Sequence, residues 1–243
     1  MIKFIKALQH FIKSRSIHDF TYATWTYNGI LLLHCLVVRL VIKAIVFDYY
    51  GVMCPRIAPL IARETARQFD APYKSVKPIT DELLDLMDDG SITFYEYWRL
   101  LKKKLKKEDV KLSAHRKIWK ESTLKLELNP KMRSLVKRLR GAGYIVPVLT
   151  NVSGKMAEYN RMKGRYKIFK PVFLSYEIRL KKPSPKIFLH TLKKLKLKPD
   201  ECIFIDDKEI YLKGAKAVGI ETILFKNFSR LHRELKRAGI NGV

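Results

Sequence analysis

Cysteine is scarce in this 243-residue chain: Cys35, Cys54 and Cys202 are its complement, and no two have paired spacing. That excludes a disulfide-stapled scaffold and sets the expected location as the reducing cytoplasm. The six histidines show no metal-ligand spacing, so they read as ordinary helix or surface residues. Long hydrophobic runs are also missing. Gly29 to Val38 is strongly apolar but stops at Arg39, well short of the roughly 20 residues that cross a bilayer. No small-residue cleavage site follows it, which argues against a secretory signal. There is no internal repeat and no long disordered linker. Acidic residues are few, 23 against 49 Lys and Arg, for a net charge of +26.

Such an excess of positive charge attracts phosphorylated ligands and nucleic acid. The lysines of Lys102–Lys104, Lys106, Lys107, Lys193, Lys194, Lys196 and Lys198, however, alternate with leucines such as Leu100, Leu101 and Leu105. That is the pattern of solvated faces on amphipathic helices. No zinc-finger spacing, Gly-rich RNA motif or long basic tail accompanies them. Non-specific adhesion to nucleic acid is therefore expected, and specific recognition is not.

What the chain does have is apolar runs that end in chemistry. Ile42-Lys43-Ala44-Ile45-Val46-Phe47 drives into Asp48, followed by a Tyr49-Tyr50-Gly51 turn. A buried parallel strand reads as a continuous apolar run, and ligands of open α/β sheets bind beyond the carboxyl ends of such strands. Alone, Asp48 could equally cap the next helix. Tyr144 to Leu149 is a second run and ends in Thr150-Asn151; Cys202 to Ile205 is a third and ends in Asp206-Asp207. Between them, Lys181-Lys182-Pro183-Ser184-Pro185 precedes an amphipathic stretch. Paired acids hold a divalent metal through hard oxygens, a carboxylate can act as a nucleophile, and a hydroxyl with a lysine can hold phosphoryl oxygens. Strands alternate with helices throughout, which calls for a parallel sheet covered on both faces.

The order Asp48–Val52, Thr150, Lys182, Asp206-Asp207 resembles the four motifs of the haloacid dehalogenase-like hydrolase superfamily, over roughly residues 42–240. It is most similar to the branch with a small helical cap inserted after the first motif, which holds glucose-1-phosphate phosphatase-like proteins and the N-terminal domains of soluble epoxide hydrolases. The resemblance implies an α/β fold, a Rossmann-like parallel sheet with that cap after its first strand. It also implies a magnesium-dependent phosphatase of a small phosphorylated metabolite, working through an aspartyl-phosphate. Asp48 is then the nucleophile. Asp48, Asp206 and the carbonyl of Tyr50 hold Mg2+, with Asp207 orienting a metal-bound water or Lys182. Thr150 and the backbone amide of Asn151 bind phosphoryl oxygens, and Lys182 neutralises charge. Arg56 is either a contact for substrate phosphate or carboxylate or a solvated loop arginine.

Three positions depart from the family pattern. Tyr50 stands where an acid-base Asp is usual, and a phenol with a reference pKa near 10 suits that work poorly. Tyr211 and Arg179 replace a usual Asn and Gly. Tyr is also the residue that the superfamily's dehalogenases carry at position 50, so a metal-independent, halide-displacing hydrolase is one alternative. A catalytically inert binding protein on the same fold is another. Against the dehalogenase stands the retained acid pair, whose members raise each other's proton affinity unless a cation compensates.

The segment 56–125 reads as the helical cap: Pro59 to Phe69, a helix capped at Thr80, an aromatic-rich helix after Ser91-Ile92-Thr93, and one from Ser113 to Ser122. The core is expected from 41–55 and 126–243, with a helix from Asn129-Pro130 to Arg140 and a last helix from Ser229. Residues 1–40 form an N-terminal extension. They are read as a peripheral membrane anchor, a helix packing on the core, or a stretch before a non-standard start near Val41.

Overall fold

In the computed structural model, residues 42–243 are described; the readings of residues 1–40, and of Cys35 within them, lie outside this range. Five parallel strands form one sheet in the order β3-β2-β1-β4-β5: β1 Ala44–Phe47, β2 Val148–Thr150, β3 Val172–Leu174, β4 Cys202–Asp206 and β5 Glu221–Leu224. β1 is central, and all four of its residues are buried. Its side chains alternate between faces. Ile45 and Phe47 join one apolar cluster with α5 (Pro130–Gly141) and α10 (Phe228–Arg237). Ala44 and Val46 join another with α8 (Pro185–Leu195) and α9 (Glu209–Lys216). The sheet is thus covered on both faces, as its continuous apolar strands require.

β2 is shorter than the run from Tyr144 suggests. Pro147 has no N–H to give to the ladder, so regular pairing starts at Val148, with only isolated bridges from Ile145 and Val146 before it. β3 was not evident from the sequence, because three residues behind Pro171 carry too little pattern. Chain progression runs outward from β1 through β2 to β3, then returns to the other side of β1 for β4 and β5. The switch of direction lies between β1 and β4, and a crevice opens there at the strands' carboxyl ends.

Four helices stand between β1 and α5: α1 Ile57–Gln68, α2 Tyr73–Asp88, α3 Phe94–Leu105 and α4 Leu112–Leu124. They hold their own apolar cluster, including Ile61, Phe69, Leu83, Tyr97, Trp98 and Ile118. Thr93 caps α3 in a reciprocal capping box with Glu96. Thr80, in contrast, is no cap. α2 begins seven residues earlier and runs through Pro78, and the buried Thr80 hydroxyl donates back to the Val76 and Lys77 carbonyls. The last helix starts at Phe228 rather than Ser229, because Asn227 supplies the cap. α6 (Gly154–Met162) and the short α7 (Ser175–Ile178) complete the α-helices among the described residues, and a 3-10 turn at Pro199–Glu201 leads into β4.

Candidate active site

The switch point brings Asp48, Asp206 and Asp207 together: one carboxylate oxygen from each lies within 4.8 Å of the others. Asp48 follows β1 and its amide donates to the Ile205 carbonyl at 2.9 Å, which ties it to the strand carrying the acid pair. Buried carboxylates are costly unless matched by charge and hydrogen bonds. Lys182 supplies both. Its buried Nζ donates to Asp48 Oδ1 at 2.7 Å and to Asp206 Oδ2 at 2.6 Å. The rings of Phe204 and Tyr211 lie 5.2 and 4.9 Å from the ammonium, within cation–π range. Burial acts against the ammonium, but Asp206 and Asp48 outweigh it and push Lys182 above its ordinary value. Burial pushes the Asp48 carboxyl up to about 7, with Lys182 opposing and Asp206 adding.

Asn151 fixes the lysine from outside. Its Nδ2 donates to the Lys182 carbonyl, and the Lys182 amide donates to its Oδ1, both at 2.9 Å. The side chain after Thr150 is therefore committed to holding Lys182, and its backbone amide is the group it can turn to a ligand. Thr150 ends β2 fully buried, its hydroxyl 3.3 Å from the Asn151 carbonyl.

Asp207 meets different partners from those the sequence suggested. It does not touch Lys182; Arg56 Nε donates to its Oδ2 at 2.5 Å. Arg56 is thus neither free in solvent nor empty-handed at the crevice. Burial raises the Asp207 carboxyl, and Arg56 opposes that. Gly51 makes the arrangement sterically feasible, since its φ of +92° suits glycine and a Cβ there would fall 2.0 Å from Asp207 Oδ2. Asp207 Oδ1 is buried without a partner among the described residues. An orphaned carboxylate oxygen beside two more carboxylates is the donor chemistry that a hard divalent cation takes, so these residues fit magnesium.

Tyr50 is held away from acid-base work. Its hydroxyl accepts from Asn160 Nδ2 at 2.6 Å, and the same buried amide donates to Tyr166 at 2.9 Å. Burial pushes the Tyr50 hydroxyl well above the usual phenol range. The other two departures also have structural partners. Tyr211 lies beside both Lys182 and Lys208, and Arg179 Nη1 donates to the Gly90 carbonyl at 3.1 Å.

A crevice of about 100 Å³ opens over these groups. Asp48, Tyr50, Arg56, Thr150, Asn151 and Lys182 all line it. So do Asp88, the last residue of α2, and Lys208. Neither carries a sequence signal: Asp88 stands in the acidic string Asp85 to Asp89, and Lys208 is one lysine among many. Asn160, Tyr50's partner from α6, is equally unmarked.

A family model described as haloacid dehalogenase-like hydrolase matches residues 42–219. A sesquiterpene phosphatase from Aspergillus oryzae is 27% identical over 155 residues, covering 59% of this chain and 79% of its own length. A glyceraldehyde 3-phosphate phosphatase from Pyrococcus furiosus is 34% identical over 120 residues, covering 44% of this chain and 46% of its own length. Among solved structures, a HAD family enzyme from Bacteroides thetaiotaomicron, in complex with magnesium and inorganic phosphate, aligns with a TM-score of 0.64. It is 24% identical and covers 78% of this chain and 98% of that one.

Proposed function

The chain belongs to the haloacid dehalogenase-like hydrolases, and from that premise we propose that it hydrolyses the phosphate ester of a small metabolite by phosphoryl transfer to Asp48. The observation that carries the proposal is the convergence of Asp48, Asp206 and Asp207 around an unpartnered buried oxygen, with Lys182 bridging the first two. Halide displacement at carbon gives no reason to bury that third carboxylate, so the phosphatase is favoured over the dehalogenase. Relatives named as phosphatases support the same choice.

Asp48, Asp206 and the Tyr50 carbonyl would hold magnesium, with Asp207 beside them. When bound, the ion supplies positive charge that favours the ionised Asp48 and draws charge from the phosphoryl group. Asp48 attacks phosphorus, and the bond to the ester oxygen breaks as the alcohol departs. Lys182 holds the attacking carboxylate in place and opposes the charge of the phosphoryl oxygens. Thr150 and the Asn151 amide bind those oxygens. Water then attacks phosphorus, frees Asp48 and releases phosphate. Helices α1–α4, within residues 56–125, act as a cap over the crevice that excludes bulk water and selects the alcohol.

p-Nitrophenyl phosphate tests this because its leaving group needs little protonation. Purified protein is expected to hydrolyse it with magnesium and not in EDTA, and Asp48→Asn is expected to lose that activity. Magnesium-independent turnover, or equal turnover in the variant, would overturn the proposal. Among the described residues no helix is long and apolar enough to cross a membrane.

A further inference from the structure

An alcohol leaving from phosphorus departs far faster if a positioned acid protonates its oxygen, an effect of about 10²–10⁴ in rate. The titratable groups lining the crevice are Asp48, Tyr50, Arg56, Asp88, Lys182, Lys208 and Tyr211, and all but one are committed. Asp48 and Lys182 hold each other. Arg56 is on Asp207. Tyr50 is on Asn160, and Lys208 Nζ is on the Tyr211 hydroxyl at 3.1 Å. The remaining group is Asp88, half-buried, whose carboxylate takes no hydrogen bond among the described residues.

The backbone of Asp88 is held firmly all the same. Ser175 Oγ donates to its carbonyl, and the Val152 amide donates to the same Ser175 Oγ at 2.9 Å. Two hydrogen bonds therefore connect Asp88 to the loop that carries Thr150 and Asn151. Lys181 Nζ grips Asp85 Oδ2 at 2.7 Å and Asp89 Oδ2 at 2.9 Å, and Arg179 holds Gly90. The neighbouring acids are tied down, while Asp88 lines the crevice with its carboxylate unbonded among the described residues.

We propose that Asp88, carried by the end of α2 rather than by the strand-end loops, is the general acid and base of this hydrolysis. The idea rests on the phosphatase reading. In the first step the Asp88 carboxyl gives its proton to the ester oxygen as the bond to phosphorus breaks. The alcohol leaves neutral, with Asp48 phosphorylated and Asp88 ionised. In the second step Asp88 takes a proton from the attacking water as the bond from Asp48 to phosphorus breaks, which returns both residues to their starting states. Burial pushes the Asp88 carboxyl up to about 7, Asp85 and Asp89 act in the same direction, and Lys208 and Lys181 oppose them. An acid-base group near the working pH is the most effective kind.

The test compares kcat/KM, which reports the steps through alcohol departure, for glycerol 3-phosphate and p-nitrophenyl phosphate in magnesium. Asp88→Asn should lower the value for the alkyl ester about 10²–10⁴-fold and that for the nitrophenyl ester less than about tenfold. Asp88→Glu, which keeps an acid, should recover part of the alkyl loss. Equal losses on the two esters, or a Glu variant no better than Asn, would overturn the proposal while leaving the phosphatase reading intact. Failure of the unaltered protein to hydrolyse either ester would overturn both.

Discussion

The crevice at the strand ends and the helical segment α1–α4 treat buried polar groups in opposite ways. In the crevice nearly every charge is matched: Lys182 with Asp48 and Asp206, Asp206 Oδ1 with the Lys208 amide, and Asn151 with the Lys182 backbone. Inside the helical segment Thr65, Tyr97, Trp98, both nitrogens of His115 and Ser122 are buried without partners among the described residues. Each such orphan costs about 1–3 kcal/mol, so that segment is held by apolar and aromatic packing, such as His115 stacked on Trp98 at 4.1 Å. The helical segment has looser polar specification, and its end at Asp88 is stapled to the crevice through Ser175.

The largest expected break in this contrast comes from the crevice. Lys182→Met leaves Asp48 and Asp206 buried without their shared cation. Turnover should fall to background, and urea unfolding in EDTA should show a loss of about 3–5 kcal/mol. A loss below about 1 kcal/mol, the scale of a surface pair, would mean that the crevice is no better matched than the helical segment.

A smaller effect should come from His115. Burial lowers its pKa to about 4, against about 6.5 for a free imidazole. Above that free value both states are neutral and nothing is lost. As pH falls from about 6.5 towards 4 the unfolded chain takes up a proton that the folded chain resists, so stability declines. Thermal melts should show this decline, and His115→Phe should flatten it relative to the parent. An identical pH slope in both proteins would show that His115 has access to water or a partner.

The contrast also explains what the sequence made legible. Asp48 and Asp206 could be found because each follows an apolar strand within its own few residues, and strand ends converge in any sheet of this kind. The start of the aromatic-rich helix after Thr93 was legible for the same local reason. Asp88 was not, since its place depends on Ser175, 87 residues away, and on Arg179 and Lys181 gripping its neighbours. The engagement of Tyr50 was hidden because Asn160 lies 110 residues further on. Thr80 misled as a helix start because Pro78 before it imitates a break, while the helix simply continues through the proline.

The most direct test of the central claim is to mix protein, magnesium and a substrate with a good leaving group, quench in acid within one turnover, and map the phosphoryl group by mass spectrometry. The account predicts a phosphoryl group on Asp48 that appears with alcohol release and decays as phosphate forms. Phosphate release without any phosphoryl group on Asp48, or with it on another residue, would contradict the account.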